Sequence, residues 1–177
     1  MDPCLHHLQG KTELVKPTDL RSLLEDLYRD KLALMRRHER VAQLVSSYEF
    51  NNTYQYVIAR EDTHLSWLRA ALADLDVAPD DGGVGPDVAK PAKGDAGARV
   101  LLQADADAAR EFLARWRPRV RLVSHARHRK MLDLMLGEVA EHQRFFELAA
   151  AGRNDLLGRR PETTGTGGGV MSTRWIG

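Results

Sequence analysis

The stretch DVAPDDGGVGPDVAKPAKGD, residues 76–95, divides the chain into two halves and decides the fold. Its three prolines, its glycines and its lack of apolar periodicity predict a connection rather than a helix or a strand. A structureless loop of this length is uncommon inside a compact domain and usually has a reason. Because such a connection can follow a whole helix, we expect the helix after it to point the same way as the helix before it.

Two helices are predicted before this crossover, because apolar residues recur there at helical spacing. The first begins after Pro17, with Thr18 or Asp19 as its N-cap, and extends to about residue 47. The polar run SSYEFNN, residues 46–52, is the predicted turn, and the second helix follows it.

Two further helices are predicted after the crossover. The third begins at about Ala96 and includes Val100 in its apolar stripe, and the fourth is capped by Ser124 and includes Leu134. Between them, RWRPRVRLV, residues 115–123, alternates as a strand does and contains a proline. This pattern predicts a kink or a short extended corner.

The predicted fold class is therefore all-α, a four-helix bundle of two antiparallel helical hairpins joined by a long crossover. The four-helix bundle is expected to span residues 17–153. An irregular segment, residues 1–16, is expected before it, and a disordered tail, residues 154–177, is expected after it.

Composition narrows the class of protein. The net charge of +1 gives no overall electrostatic bias toward nucleic acid or membranes, and no apolar run approaches the roughly 18 residues that span a bilayer. The single cysteine, Cys4, excludes an intrachain disulfide and a cysteine-based metal site. We therefore expect a soluble, cytoplasmic protein without a membrane partner.

Ionisable residues interrupt the apolar stripes of all four predicted helices, at positions that should face the core. A buried carboxylate is costly unless it is paired, so acids on converging stripes are expected to share a positive charge. A pair of metal ions is the simplest source of that charge, because carboxylates and neutral imidazoles are ligands of divalent cations. The candidate metal ligands are His38 on the first helix, Glu61 and His64 on the second, Asp105 on the third, and Glu138, Glu141 and His142 on the fourth.

Two segments resemble helices of the ferritin-like superfamily, in particular its rubrerythrin-type di-iron carboxylate members. IAREDTHLSWLRAAL, residues 58–72, contains Glu61 and His64 as a Glu-x-x-His pair, which looks like the second-helix motif of that family. GEVAEHQRFFELAA, residues 137–150, is similar to its fourth helix. The resemblance covers about residues 18–152.

The resemblance implies non-haem iron chemistry with dioxygen or peroxide. Glu61 and Glu138 would bridge two irons, or one iron and one manganese, and His64 and His142 would be terminal ligands. An external electron donor is implied, since the chain has no cysteine cluster, and a homodimer is one option for its assembly.

The sequence departs from the family pattern at three positions. His38 is central on the first helix, where the family has a glutamate, and Asp105 is a shorter acid on the third. His142 follows Glu138 by four positions rather than three. An altered or mononuclear site therefore stays open.

A metal-free bundle that acts as an interaction or structural protein is an alternative of a different class. Its interior acids would then pair with cations of the chain, for instance Lys31 with Glu138 or Arg60 with a neighbouring acid. Tyr54 is expected either to hydrogen-bond the site or to be ordinary core.

The basic run at residues 115–130 suggests a third function, an RNA-directed hydroxylase. It contains seven arginines or lysines and no acid. A solvated corner, offset by acids of the first two helices, is the simpler interpretation, so nucleic acid is the less favoured partner.

Overall fold

The computed structural model describes residues 17–82, 85–153 and 156–157, with side chains from Leu20 onward. Within those ranges the chain forms four α-helices and no strand, so the predicted all-helical class is confirmed. The helices are α1 (Pro17–Ala42), α2 (Tyr48–Ala73), α3 (Asp95–Arg121) and α4 (Ala126–Ala150). The predictions for residues 1–16 and for nearly all of the tail fall outside the described ranges.

The four helices enclose one interior. α1 packs against α2 and α3, and α4 packs against α3 and α2. The buried hydrophobic residues form two clusters, and all four helices contribute to both. One cluster contains Leu24, Leu68, Trp116 and Leu132, and the other contains Val41, Tyr54, Leu102 and Phe146.

None of the described helices combines the length and the apolar character needed to cross a membrane.

The predicted turn at residues 46–52 is wrong over most of its length, because α2 already begins at Tyr48. Phe50, Tyr54 and Val57 are buried at spacings of four and three residues, which is the helical period. The polar composition of the run hid this periodicity. The connection between α1 and α2 is therefore only the short segment 43–47.

The predicted kink or extended corner at residues 115–123 is also wrong, because α3 continues to Arg121 with Pro118 inside it. Trp116 and Val120 lie four residues apart, and both are fully buried. Proline removes one backbone donor, but Pro118 lies in the last turn, where little helix remains to be disrupted. Burial of the two apolar side chains therefore favours the helix.

Two positions assigned to apolar stripes face outward. Val100 is 68% exposed and Leu134 is 53% exposed. On α4 the interior face is filled by Leu132, Met135 and other residues at helical spacing, which leaves Leu134 on the outer side.

The N-cap of α4 is His125 rather than Ser124. The Nδ1 atom of His125 accepts a hydrogen bond from the backbone N–H of His128 at 3.4 Å. Histidine is an uncommon capping residue, and the sequence offered the more usual serine one position earlier.

The crossover between α2 and α3 is attached to the bundle. Val77 and Val88 are both buried. The Tyr28 hydroxyl donates a hydrogen bond to the carboxylate of Asp81, and the Arg36 guanidinium donates one to the Asp81 carbonyl at 2.6 Å. The Pro/Gly-rich crossover is therefore non-helical, and its contacts with Tyr28 and Arg36 fix its path along α1.

The end of the crossover packs closely on the first turn of α3. A Cβ atom placed on Gly97 would lie 1.9 Å from the carbonyl oxygen of Ala92, which is a severe overlap. Gly94, the N-cap of α3, has a φ of 85°, a conformation that favours glycine. Both glycines are therefore required by the backbone geometry.

Candidate functional site

A polar layer crosses the interior between the two apolar clusters. Along α1, α2 and α4, buried polar residues lie between the residues of one cluster and those of the other. We call this set the interior layer. It consists of the buried residues Lys31, His38, Glu61, His64, Asp105 and His142 and of the side chains bonded to them, Arg37, Tyr54, Arg60 and Glu138.

The layer contains six of the seven predicted site residues, and Glu141 is the exception. Glu141 is exposed on α4, whereas Glu138 and His142 lie on the inner side of the same helix. Residues four apart share a helix face, but a residue one position away is turned by about 100°. The prediction of Glu141 as a ligand therefore has no support from its position.

Glu61 is the most enclosed acid of the layer. Its Oε1 accepts a hydrogen bond from the Lys31 ammonium at 2.8 Å, and its Oε2 lies 2.8 Å from Nδ1 of His38. Burial alone would raise the pKa of Glu61, but its electrostatic interactions and hydrogen bonds with His38 and Lys31 hold this pKa well below its usual range. Glu61 is therefore an anion whose two oxygens are both engaged by α1.

Glu138 has a similar arrangement at the seam between α2 and α4. Arg60 donates from Nε and Nη2 to its two carboxylate oxygens, and Nε2 of His64 lies 2.8 Å from Oε2. The exposed fraction of the side chain is 35% for Arg60 and 18% for Glu138, so this pair lies at the edge of the layer. Despite partial burial, the hydrogen bonds from Arg60 and His64 lower the pKa of Glu138.

Asp105 is the third acid, and α3 contributes it. Arg37 donates from Nε to one of its oxygens, and the Tyr54 hydroxyl donates to the other. Burial and the Asp105 carboxylate raise the pKa of Tyr54 well above its ordinary value, so this hydroxyl remains a donor. Both expectations for Tyr54 describe it in part, because its ring belongs to the apolar core and its hydroxyl is bonded to Asp105.

The imidazoles of the layer have nitrogens without partners. Among the described residues, no hydrogen bond reaches Nε2 of His38, Nδ1 of His64 or either nitrogen of His142, and all four atoms are buried. Burial and the charge of Lys31 lower the pKa of His64 to about 4. Since His64 is then neutral and its Nε2 faces a carboxylate, the proton belongs on Nε2 and Nδ1 holds a lone pair.

His142 is the only predicted ligand of the layer without a polar contact in the described part of the chain. Its ring centroid lies 6.4 Å from that of His64. Burial lowers the pKa of His142 to about 3, the positive charge of Lys31 acts in the same direction, and the negative charge of Glu61 acts against them. His142 is therefore a neutral imidazole between charged neighbours.

These contacts bear on the two-metal site that the sequence resemblance implies. In such a site the carboxylate oxygens face the metal ions, whereas here the oxygens of Glu61, Glu138 and Asp105 accept hydrogen bonds from side chains. Within residues 17–82, 85–153 and 156–157, no three His, Cys, Asp or Glu side chains are grouped so that they could hold a metal ion. The arrangement of donors does not fit two metal ions bridged by carboxylates.

Sequence reasoning missed one cation of the layer, Arg37, and it expected Arg60 to pair with a neighbouring acid without naming Glu138. Arg37 and Arg60 lie beside the apolar stripes rather than on them, and their long side chains reach inward to Asp105 and Glu138. Lys31 does lie near the stripe of α1, but its expected partner was Glu138 rather than Glu61. The signal in the sequence was the arginine directly before a polar residue at the centre of a stripe, at His38 on α1 and at Glu61 on α2.

The basic corner at residues 115–130 is partly neutralised by acids of α1. Arg115 donates to Asp30 at 2.8 Å, and Arg119 donates to Asp26 at 3.0 Å. In the part of this corner that belongs to α3, the positive charge is therefore offset by acids of α1, as the simpler interpretation expects.

Comparison with known protein families found no matching family model, and comparisons with curated proteins and with solved structures found no match.

Proposed function

We propose that this chain is a ferritin-like four-helix bundle that functions as a binding or structural protein, with its interior acids neutralised by its own cations. The proposal rests on one observation. Each carboxylate of the interior layer is bonded to a lysine or arginine of the chain, namely Glu61 to Lys31, Glu138 to Arg60 and Asp105 to Arg37.

The order of the contacts supports two antiparallel hairpins. Going along α1, Lys31 contacts Glu61 of α2, His38 contacts Tyr54, and the Ala42 carbonyl accepts a hydrogen bond from Asn51. The partners on α2 therefore occur in the reverse order. The contacts between α1 and α3, and those between α2 and α4, also join later residues of one helix to earlier residues of the other, as expected of antiparallel neighbours. Helices α2 and α3 would then point the same way, as a crossover along the bundle requires.

Charge balance supports the metal-free form. The layer holds three acids and three permanent or near-permanent cations, so its formal charge is already compensated. A divalent ion added beside Lys31 would introduce uncompensated positive charge into a region of low dielectric. Displacing Lys31 from Glu61 would in turn leave a buried ammonium without its acid.

Metal analysis of protein expressed with iron and manganese supplements tests the proposal. We expect less than about 0.2 metal ion per chain, unchanged folding after treatment with a chelator, and the same values for His142→Ala. Glu141→Ala is the matched control, because this neighbouring acid is exposed on the same helix. Close to one metal ion per chain that disappears in His142→Ala, but not in Glu141→Ala, would overturn the proposal.

That outcome would support a second candidate, a mononuclear metal protein that reacts with dioxygen or peroxide and receives electrons from an external donor. The observation in its favour is the set of unpartnered imidazole nitrogens on His38, His64 and His142. Carboxylates that hold the opposite nitrogen, as Glu61 holds His38 and Glu138 holds His64, orient imidazoles for metal ligation in many proteins. Iron is the expected metal, and the ion would supply binding and polarisation of the oxidant.

A further inference from the structure

A groove separate from the interior layer lies on the surface between α2 and α4. Its volume is about 500 Å³, which is within the usual size range of small-molecule sites, roughly 300–1,000 Å³. The apolar part of its lining comes from Trp67, Ala70, Ala71, Met131 and Leu134. Leu134, which is more than half exposed, is one of the larger apolar side chains on the described surface.

One end of the groove is cationic. Arg127 and Lys130 line it, and neither forms an ion pair within the described parts of the chain. Both belong to the beginning of α4, whose first turn contains no acid to offset the positive end of the helix dipole. Asp74 is the acid that lines this end, so the three side chains together carry one net positive charge.

A buried histidine connects the groove to an adjoining cavity of about 420 Å³. His128 lines both spaces, is more than nine-tenths buried, and has an Nδ1 atom without a partner among the described residues. Burial, together with the neighbouring His125 and Arg127, lowers its pKa, so the ring is neutral at pH 7. A buried polar atom of this kind is normally satisfied by water or by a ligand.

We propose that this groove binds a small amphipathic carboxylate, with the carboxylate at Arg127 and Lys130 and the apolar chain over Trp67, Met131 and Leu134. One net positive charge at the head matches one carboxylate better than a dianionic phosphate. The guanidinium of Arg127 is suited to a carboxylate, since its paired donors match the two oxygens. The inference rests on the proposed binding function, because it names the ligand class of a binding protein.

Titration calorimetry of the full chain with dodecanoate is the direct test. Dodecyltrimethylammonium, which has the same chain length and the opposite charge, is the matched ligand. We expect saturable binding of dodecanoate with one site per chain and at least about tenfold weaker binding of the cation. Equal binding of both ligands would overturn the proposal, since the recognition would then be apolar only.

Three variants locate the site. The double variant Arg127→Ala/Lys130→Ala should weaken dodecanoate binding at least about tenfold, and Ala70→Trp should do so by filling the groove. Arg129→Ala, an exposed basic position on the same helix that does not line the groove, should bind as the unaltered chain does. Unchanged binding in the double variant or in Ala70→Trp, or equal weakening in Arg129→Ala, would overturn the proposal.

These measurements separate this inference from the proposed function. Stoichiometric metal lost in His142→Ala, together with dodecanoate binding that depends on Arg127, would remove the metal-free function and leave the groove. Absence of metal together with failure of dodecanoate to bind would remove the groove and leave the metal-free bundle.

Discussion

The ammonium group of Lys31 lies 2.8 Å from Oε1 of Glu61, and both side chains are withdrawn from solvent. The contact joins α1 to α2, and along α2 Glu61 lies between the residues of the two apolar clusters. Removing one member of a buried ion pair leaves the other charge without compensation, whereas removing both can be tolerated. This asymmetry makes the pair a sensitive test of the interior layer.

We expect Lys31→Met to destabilise the fold by about 3–5 kcal/mol, because Glu61 would lose its principal cation. The double variant Lys31→Met/Glu61→Leu should recover most of that loss, since it buries no unpaired carboxylate. Urea denaturation at pH 7 measures both free energies of unfolding. If the double variant were as unstable as Lys31→Met, the loss would reflect packing rather than charge.

A hydroxyl deletion probes the third acid of the layer. Tyr54→Phe removes the hydrogen bond to Asp105, and loss of a bond to a charged group costs about 1.5–3 kcal/mol. Tyr56→Phe, two residues away on the more exposed side of α2, should change the free energy of unfolding by less than about 0.5 kcal/mol. Equal effects of the two substitutions in chemical denaturation would contradict the assigned contact.

The two helical glycines should respond in opposite directions to alanine. Gly97→Ala would place a methyl group against the carbonyl of Ala92, so the crossover must move and the melting temperature should fall by several degrees. A Cβ atom on Gly137 meets nothing within 4 Å, and Gly137→Ala should raise stability by about 0.5–1 kcal/mol through helix propensity. Calorimetry of both variants measures the contrast, and destabilisation by Gly137→Ala would speak against the assigned path of α4.

Acid should weaken the metal-free fold through its neutral histidines. The pKa values of His64 and His142 are lowered from 6.5 to about 4 and about 3, so between 6.5 and 4 the unfolded chain binds more protons than the folded chain. The free energy of unfolding should therefore fall as pH decreases through this window, by up to about 1.4 kcal/mol per pH unit for each histidine. The low pKa of Glu61 acts in the same direction below 4.5.

Urea denaturation of chelator-treated protein at pH 7, 6, 5 and 4 measures this slope. His142→Leu should reduce the slope by the contribution of one histidine, because the side chain that replaces it does not titrate. A slope that is the same in both proteins would show that His142 does not remain neutral in the folded state.

The helical period predicted much of this arrangement and missed the pairing within it. Burial of Glu61, His64 and Asp105 follows from their positions on apolar stripes, because a helix fixes each direction to within a fraction of a turn. The expectation that these acids share positive charge was also made from the sequence. Cations of the chain were one of the two sources considered, but the pairs themselves were not predicted. Arg37 and Arg60 lie off the stripes and reach inward through side chains that have several rotatable bonds, so the stripe positions do not determine which acid each one meets.

Helix boundaries were predicted wrongly where the packing of the core favours a helix and the local composition favours a break. Pro118 and the polar residues after Ser46 predicted breaks, yet the first lies within a helix and a helix resumes at Tyr48. In both places large apolar side chains, Trp116 and Phe50 among them, reach the core only if the chain is helical. A local propensity of a few kcal/mol is outweighed by that burial, and single-sequence patterns do not contain the packing that decides it.

The ion pairs of the interior layer are distributed unequally between the two halves of the chain. The half before the crossover pairs Glu61 within itself, whereas Asp105 and Glu138 of the second half are neutralised by Arg37 and Arg60 of the first. Two copies of the second half would therefore bring like charges together, and two copies of the first would do the same with opposite sign. The ion pairs therefore favour association of one half with the other over association of two identical halves. We expect the two fragments of a chain cut within the crossover to reassemble as a one-to-one complex.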